Sequence, residues 1–309
     1  MPDLITHHLF CQQVLDKAAL PPDAHRAIAN YPSAFYWGAQ GPDLLFYHRV
    51  LFGGSRLNAA AKFMHRSDTN KLMEEFIRIL ITAPKSCKDI LISYFCGFLC
   101  HYALDSVMHP YVYFWQKEFC DINDDLSPSG AHSYVESSID VALHQKTFGF
   151  SANEFDLKQF SLPTAQKNAI AWCYSHLIKN LCNETYPPQQ IEECFADMLR
   201  MEKLFYGDHK FIARAVSFAE QFSGKRGAAS GHFKLKSAPP NWDCLNLSHN
   251  SWQNPYTMTI GYESVFQLMQ QAENDLMLYY DQYLPMIVYR EPSPTALIIN
   301  FKGEPIQNN

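Results

Sequence analysis

The chain has no excess of positive charge: 25 lysines and arginines stand against 31 aspartates and glutamates, a net charge of −6. That balance excludes a general electrostatic attraction to nucleic acid or to an anionic membrane, so partners have to be read from local features. Nor is there an apolar run long enough to span a bilayer. The longest, Ile90 to Cys100, is about half of what a span requires, and His101 and Asp105 follow it directly; it reads as a buried core helix, and no transmembrane segment is expected. The first residues, MPDLITHHLF, carry Asp3 and two histidines where an export signal needs a basic start and an apolar stretch, so the expected location is cytoplasmic. Nine cysteines, an odd number without the paired spacing of a disulfide framework, agree with a reducing compartment. Cys96 and Cys100, one helical turn apart beside His101, have two readings: soft metal ligands or, more commonly, buried thiols. Runs of alternating Val, Ile or Thr, internal repeats and low-complexity blocks are also missing.

What the chain does have is apolar content, 47% of 309 residues, ample for a sizeable core. Its periodicity is helical, which predicts an all-α fold, a single multi-helix domain. A first helix is expected over residues 4–15, ended by Leu20-Pro21-Pro22, with an irregular segment running to about Ser55. Further helices are expected at 56–82, 86–108, 131–147, 163–182, 188–205, 207–222 and 260–283, broken by Pro84, Pro110, Pro128, Pro163 and Pro187-Pro188. Residues 1–222 form the helical core in this reading. Residues 223–309, a long loop to Pro255, a last helix and a tail loosely attached after Pro292, pack on the same domain.

The chemistry concentrates in Cys96-Gly-Phe-Leu-Cys-His-Tyr-Ala-Leu-Asp-Ser-Val-Met-His109-Pro110. His101 and Asp105 are four apart and share a helix face, so both can grip one metal. An ionisable pair on so apolar a helix costs burial energy unless neutralised, and a divalent cation with nitrogen and oxygen ligands neutralises it. His109 is expected at the helix end, because Pro110 disfavours α conformation before it. His132 and Glu136 repeat the four-residue spacing, with Asp140 one turn on. One such pair alone usually means a cap or salt bridge; two within forty residues strengthen the metal reading. His7 and His8, Asp43 in Gly38-Ala-Gln-Gly-Pro-Asp43, and His65 with its alternative His48 are further candidates. Against them stand plainer uses: solvated surface for His7 or His8, a turn cap for Asp43, a structural histidine for His65.

The set Pro2-Asp-Leu-Ile-Thr-His7, Gly38-Ala-Gln-Gly-Pro-Asp43, Gly97-Phe-Leu-Cys-His101-Tyr-Ala-Leu-Asp105, His109-Pro110 and His132-x-x-x-Glu136 resembles the zinc-dependent phospholipase C family of bacteria. The resemblance covers roughly the first half of the chain. It implies an all-helical domain whose cleft holds zinc and hydrolyses the phosphodiester of phospholipids on the diacylglycerol side. Carried over, Asp43, His65, His101 and Asp105 would hold one zinc, Asp105 bridging to a second; His109, His132 and Glu136 would hold another; His7, Asp105 and the N-terminal residue would complete the third. Asp43 is then the candidate for orienting or deprotonating the attacking water. Tyr102, Phe35, Tyr36, Trp37 and Phe46 are either an apolar wall near the cleft or, more commonly for aromatics, core.

The secreted members expose an N-terminal tryptophan that chelates one zinc, and this chain has none near its start. Pro2 or Asp3 are the possible substitutes, so two or three zinc ions are expected. Mixed imidazole and carboxylate ligands also accept manganese or iron. The expected function is zinc-dependent hydrolysis of a phosphodiester or phospholipid. The alternatives are a nuclease or nucleotidase of the same fold, disfavoured because an acidic chain shows no basic strand-tracking groove, and a non-catalytic metal-binding scaffold. His249 and Asp243, in the aromatic-rich stretch Asn241 to Pro255, belong either to a cover over the cleft or to a packed connecting loop, the reading favoured here.

Overall fold

Helices carry nearly all the regular structure of the computed structural model, which describes residues 3–306 apart from 18, 51–53, 67, 124, 208, 223–225 and 292–295. The fold is all-α. Its elements are α1 (Leu4–Lys17), α2 (Pro22–Asn30), α3 (Pro32–Gly38), α4 (Arg56–Arg66), α5 (Thr69–Thr82), α6 (Lys85–Ile122), α7 (Pro128–Phe148), α8 (Thr164–Cys182), α9 (Pro188–Tyr206), α10 (Lys210–Glu220) and α11 (Val265–Val288). Two antiparallel two-residue strands, β1 (Trp252–Gln253) and β2 (Ile260–Gly261), set Trp252 opposite Gly261.

Proline explains most departures from the expected boundaries. The segment before Ser55 is not irregular: Pro22 and Pro32 sit in the first turns of α2 and α3, where a missing N–H costs nothing, and a 3-10 helix follows at Gly41–Tyr47. Pro128 likewise opens α7, behind Ser127, whose Oγ accepts the Gly130 amide at 3.1 Å. Pro110 does not end α6 but lies inside it. Its ring removes a hydrogen bond to the Ser106 carbonyl, a penalty of about 3 kcal/mol. Burial of Val107, Met108, Tyr111 and Val112 around it offsets this at roughly 1.5–3 kcal/mol per large apolar side chain. The expected helix 56–82 is two, because the Asp68 carboxylate accepts the Asn70 amide at 3.0 Å and caps a fresh start for α5.

The chain divides into two compact units. The larger comprises His7–Ser106, Leu157–Arg200 and Ala272–Asn309. In it α5 buries Leu72, Met73, Phe76, Ile77, Ile79 and Leu80, a helical stripe that packs on α8. The expected loose tail is instead pinned here over residues 296–306. Asn70 bonds Leu297 through both amide and carbonyl at 2.7 and 3.0 Å, Tyr102 Oη donates to the Ile299 carbonyl at 2.8 Å, and Phe301 is fully buried. Cys96 and Cys100 are core thiols, Cys100 Sγ lying 3.3 Å from Tyr280 Oη. α6, 38 residues long, contains the apolar run Ile90 to Cys100 and, as a whole helix, is long and apolar enough to cross a membrane by length and composition only; its most apolar window is wholly buried within the protein.

The smaller unit comprises Met1–Thr6, Val107–Asp156 and Met201–Gln271. Asp140 accepts the amides of Ile5 and Thr6 at 3.1 and 2.9 Å, supplying partners to the start of α1 that the helix itself cannot. Lys234, buried, pairs with Asp140 and with Asp3. Asp3 is therefore engaged by an ammonium group; burial works against its ionisation, but Lys234 holds its carboxyl far below the usual range. Pro2 and the chain's first residue lie outside the described residues. The stretch Asn241 to Pro255 is a packed connection: Asn246 bonds both backbone groups of Asn250 and the carbonyls of Tyr262 and Glu263, and Tyr111 Oη donates to the Cys244 carbonyl. Asp243 accepts the Ser248 amide within this stretch, and His249 Nδ1 lies 3.0 Å from the carbonyl of Tyr262 just beyond it.

Candidate metal centre

In the larger unit, two overlapping groups of ligand atoms form around His101: His7 with Asp43 and His101, and His65 with His101 and Asp105, each within 4.8 Å. The approach of α3 to α6 makes this possible. Gly38 and Gly97 face each other so closely that a Cβ on Gly97 would fall 2.0 Å from the Phe35 carbonyl oxygen, and one on Gly38 would fall 2.1 Å from that of Tyr94. Gly41, at φ +50°, then turns the chain directly under the His101 ring, where an added Cβ would meet the ring at 2.3 Å. Tyr174 Oη fixes that turn by donating to the Gly41 carbonyl at 2.8 Å, and Tyr94 Oη lies 2.8 Å from Tyr174 Oη. Asp43 follows two residues on, buried against α4.

The side chains are oriented for cation binding. His101 Nδ1 donates to the Ala39 carbonyl at 3.1 Å and His65 Nδ1 to the Ala61 carbonyl at 2.8 Å. A carbonyl only accepts, so these tautomers leave each Nε2 with an inward lone pair. His65 Nε2 lies 3.1 Å from Asp43 Oδ1; His7 Nε2 and His101 Nε2 lie 3.3 Å from the two oxygens of Asp105. Neighbouring ligands on a tetrahedral zinc are about 3.3 Å apart. Moreover His65 Nε2, His101 Nε2 and Asp43 Oδ1 are buried without a well-formed hydrogen bond from any described residue, a costly state that a divalent cation relieves. The donor set thus fits zinc.

Titration follows the same logic. Burial holds His101 down to about 4, which keeps its lone pair available at neutral pH. Burial pushes Asp105 up to about 6 against the pull of His101. Burial also acts to raise Asp43, but His101, His65 and His7 outweigh it and hold the carboxyl below its ordinary value. Rings close the site from the side: Phe46 stacks on His65 at 5.4 Å, His7 on His101 at 4.5 Å, and Phe301 lies 5.4 Å from His65 and 5.8 Å from His101.

In the smaller unit, His109 from α6 meets His132 and Glu136 from α7. His132 Nε2 is 3.0 Å from Glu136 Oε1, its Nδ1 is 2.8 Å from Gln116 Oε1, and its ring stacks on His109 at 5.8 Å. Because α6 continues through Pro110, His109 projects from a helix interior rather than a helix end. Tyr113 lies beside both rings.

Other sequence candidates are placed elsewhere. Neither His7 nor His8 is solvated; His8 is buried against Tyr36 and Phe160, and burial brings it down to about 4. His48 bonds Ser55 and Glu193. Phe35, Trp37 and Tyr102 are core. Sequence reasoning missed Gln116 and Phe301. A hydrogen-bonding residue six positions after a helix-interior proline, and a lone aromatic in a tail of mixed composition, carry no motif.

No curated protein and no solved structure matches the chain. A family model for zinc dependent phospholipase C matches residues 6–198, a span that includes His7, Asp43, His65, His101, Asp105, His109, His132 and Glu136, and the chain belongs to that family.

Proposed function

We propose that the chain hydrolyses the phosphodiester of a phospholipid, using two or three zinc ions. His7, Asp43, His65, His101 and Asp105 hold zinc in the larger unit; His109, His132 and Glu136 hold it in the smaller. The observation that carries this reading is the overlap of two ligand trios at a single buried His101. Zinc supplies Lewis-acid polarisation of a phosphoryl oxygen and brings the pKa of water near neutrality. The protein's own part falls to Asp43, which orients the attacking water and takes its proton at a carboxylate oxygen. Ala39 and Ala61 hold His101 and His65 in the required tautomers, and Phe46 and Phe301 exclude bulk water, which strengthens every charge interaction within.

The test joins metal content with turnover. Elemental mass spectrometry on protein purified without chelator or metal-binding tag should find two or three zinc ions per chain. Asp43→Asn should keep the fold and most of the metal while lowering kcat for phosphatidylcholine by about 10²–10⁴-fold. Undiminished turnover in that variant refutes the role given to Asp43, and no tightly bound metal even after zinc is supplied refutes the whole reading.

A further inference from the structure

α10 presents its apolar side to water. Its one buried residue is Glu220, whose carboxylate accepts the amides of Gly227, Ala229 and Ser230. Phe211, Phe218 and the adjoining Phe222, spaced by seven and four residues, fall on one helical stripe. They are 85%, 62% and 79% exposed, and the last two rings touch at 5.3 Å. Ala215 and Ala219 fill the stripe between them, and both are exposed. An amphipathic helix is ordinarily held by burying its apolar face. Here that face finds no partner among the described residues. Lys210 and Arg214 flank the stripe, both exposed, and the only acidic residue of α10 is the buried Glu220. The chain is acidic overall, so this is a local concentration of positive charge beside exposed aromatics. α10 also lies beyond residues 6–198, the part matched by the family model.

We propose that α10 docks on an anionic phospholipid surface, with Phe211, Phe218 and Phe222 at the acyl boundary and Lys210 and Arg214 among the headgroups. Aromatic insertion beside a basic edge is the pattern of helices that lie in the plane of a membrane interface. A second copy pairing through α10 fits less well, because α10 offers no exposed acid to meet Lys210 and Arg214, whereas anionic lipid neutralises them. The proposal rests on the phospholipid reading of the substrate and says how the protein reaches it.

Co-sedimentation of the full chain with phosphatidylcholine vesicles, with and without phosphatidylserine, tests it. The wild type should bind both and prefer the anionic vesicles. Phe211→Ser combined with Phe218→Ser and Phe222→Ser should lower the partition coefficient by roughly a hundredfold. Helical circular dichroism, and hydrolysis of a short-chain phosphatidylcholine dispersed as monomers, should not change. Lys210→Gln with Arg214→Gln, at two solvated positions, should abolish the preference for phosphatidylserine. Wild-type affinity in the triple variant overturns the proposal. So does a wild-type dimer that the triple variant dissolves, since the stripe is then an interface between copies. Vesicle binding without hydrolysis in either assay removes the catalytic reading and leaves the docking face; hydrolysis of the dispersed lipid without vesicle binding does the reverse.

Discussion

In the larger unit the candidate ligands come from four elements, α1, the 3-10 helix at Gly41–Tyr47, α4 and α6, and every one is buried; in the smaller unit they come from α6 and α7 alone, and a fifth of the His132 side chain remains in water. Both contain a histidine and an acid four residues apart. The shared spacing hides a difference in how each is held. His132 and Glu136 are neighbours wherever α7 forms, because the helix itself brings them together. Asp43 and His65 reach His101 only if two glycines let α3 and α6 touch and two tyrosines hold the Gly41 turn. The first arrangement needs helical periodicity alone; the second depends on tertiary contacts and is correspondingly dry.

The sharpest way to break this contrast is to remove one histidine from each group. His101→Ala takes a ligand from both overlapping trios and leaves Asp43 and Asp105 without their central partner in the interior. It should strip the larger unit of zinc and cost about 3–5 kcal/mol in urea unfolding. His132→Ala, where water can enter, should lose no more than one ion and about 1–2 kcal/mol. Equal losses in the two variants would remove the distinction between a dry and a wet site.

Next in size is Phe301→Ala. It should cost about 3–5 kcal/mol for the cavity it opens, and weaken zinc bound by His65 and His101 while leaving zinc at His132 unchanged. A uniform weakening, followed by metal titration with a chelating dye, would show that the ring serves general stability rather than one site. The smallest effect belongs to Gln116→Ala, which frees the His132 ring to rotate. A hydrogen-bond partner that orients a metal-binding histidine is worth about 10–100-fold in metal affinity, and the loss should be confined to the smaller unit's ion.

How much was legible in advance follows the same division. His101 with Asp105 and His132 with Glu136 were visible because a helix converts spacing into proximity. The segment containing Asp43 was readable as a Gly-Pro turn, but its closeness to His101 depended on Gly38 meeting Gly97, a long-range contact that local pattern does not encode. Pro110 was misleading as a helix breaker, since burial of its neighbours outweighs one lost hydrogen bond. The tail after Pro292 looked loose for a comparable reason: its anchors, Asn70 against Leu297 and Tyr102 against Ile299, lie far away in sequence.

From the sequence alone came the helical class and the absence of any positive charge excess to draw in nucleic acid, because periodicity and composition are properties of the chain before it folds; two candidate ligand pairs came from four-residue spacing, and the rest of the candidate set from the family resemblance. The tertiary structure decided which of those candidates come together, which aromatic rings wall them, and which amphipathic helix is left facing water. Burial is settled by what packs against a residue, and for α10 the pattern that predicts a buried face ends at the surface.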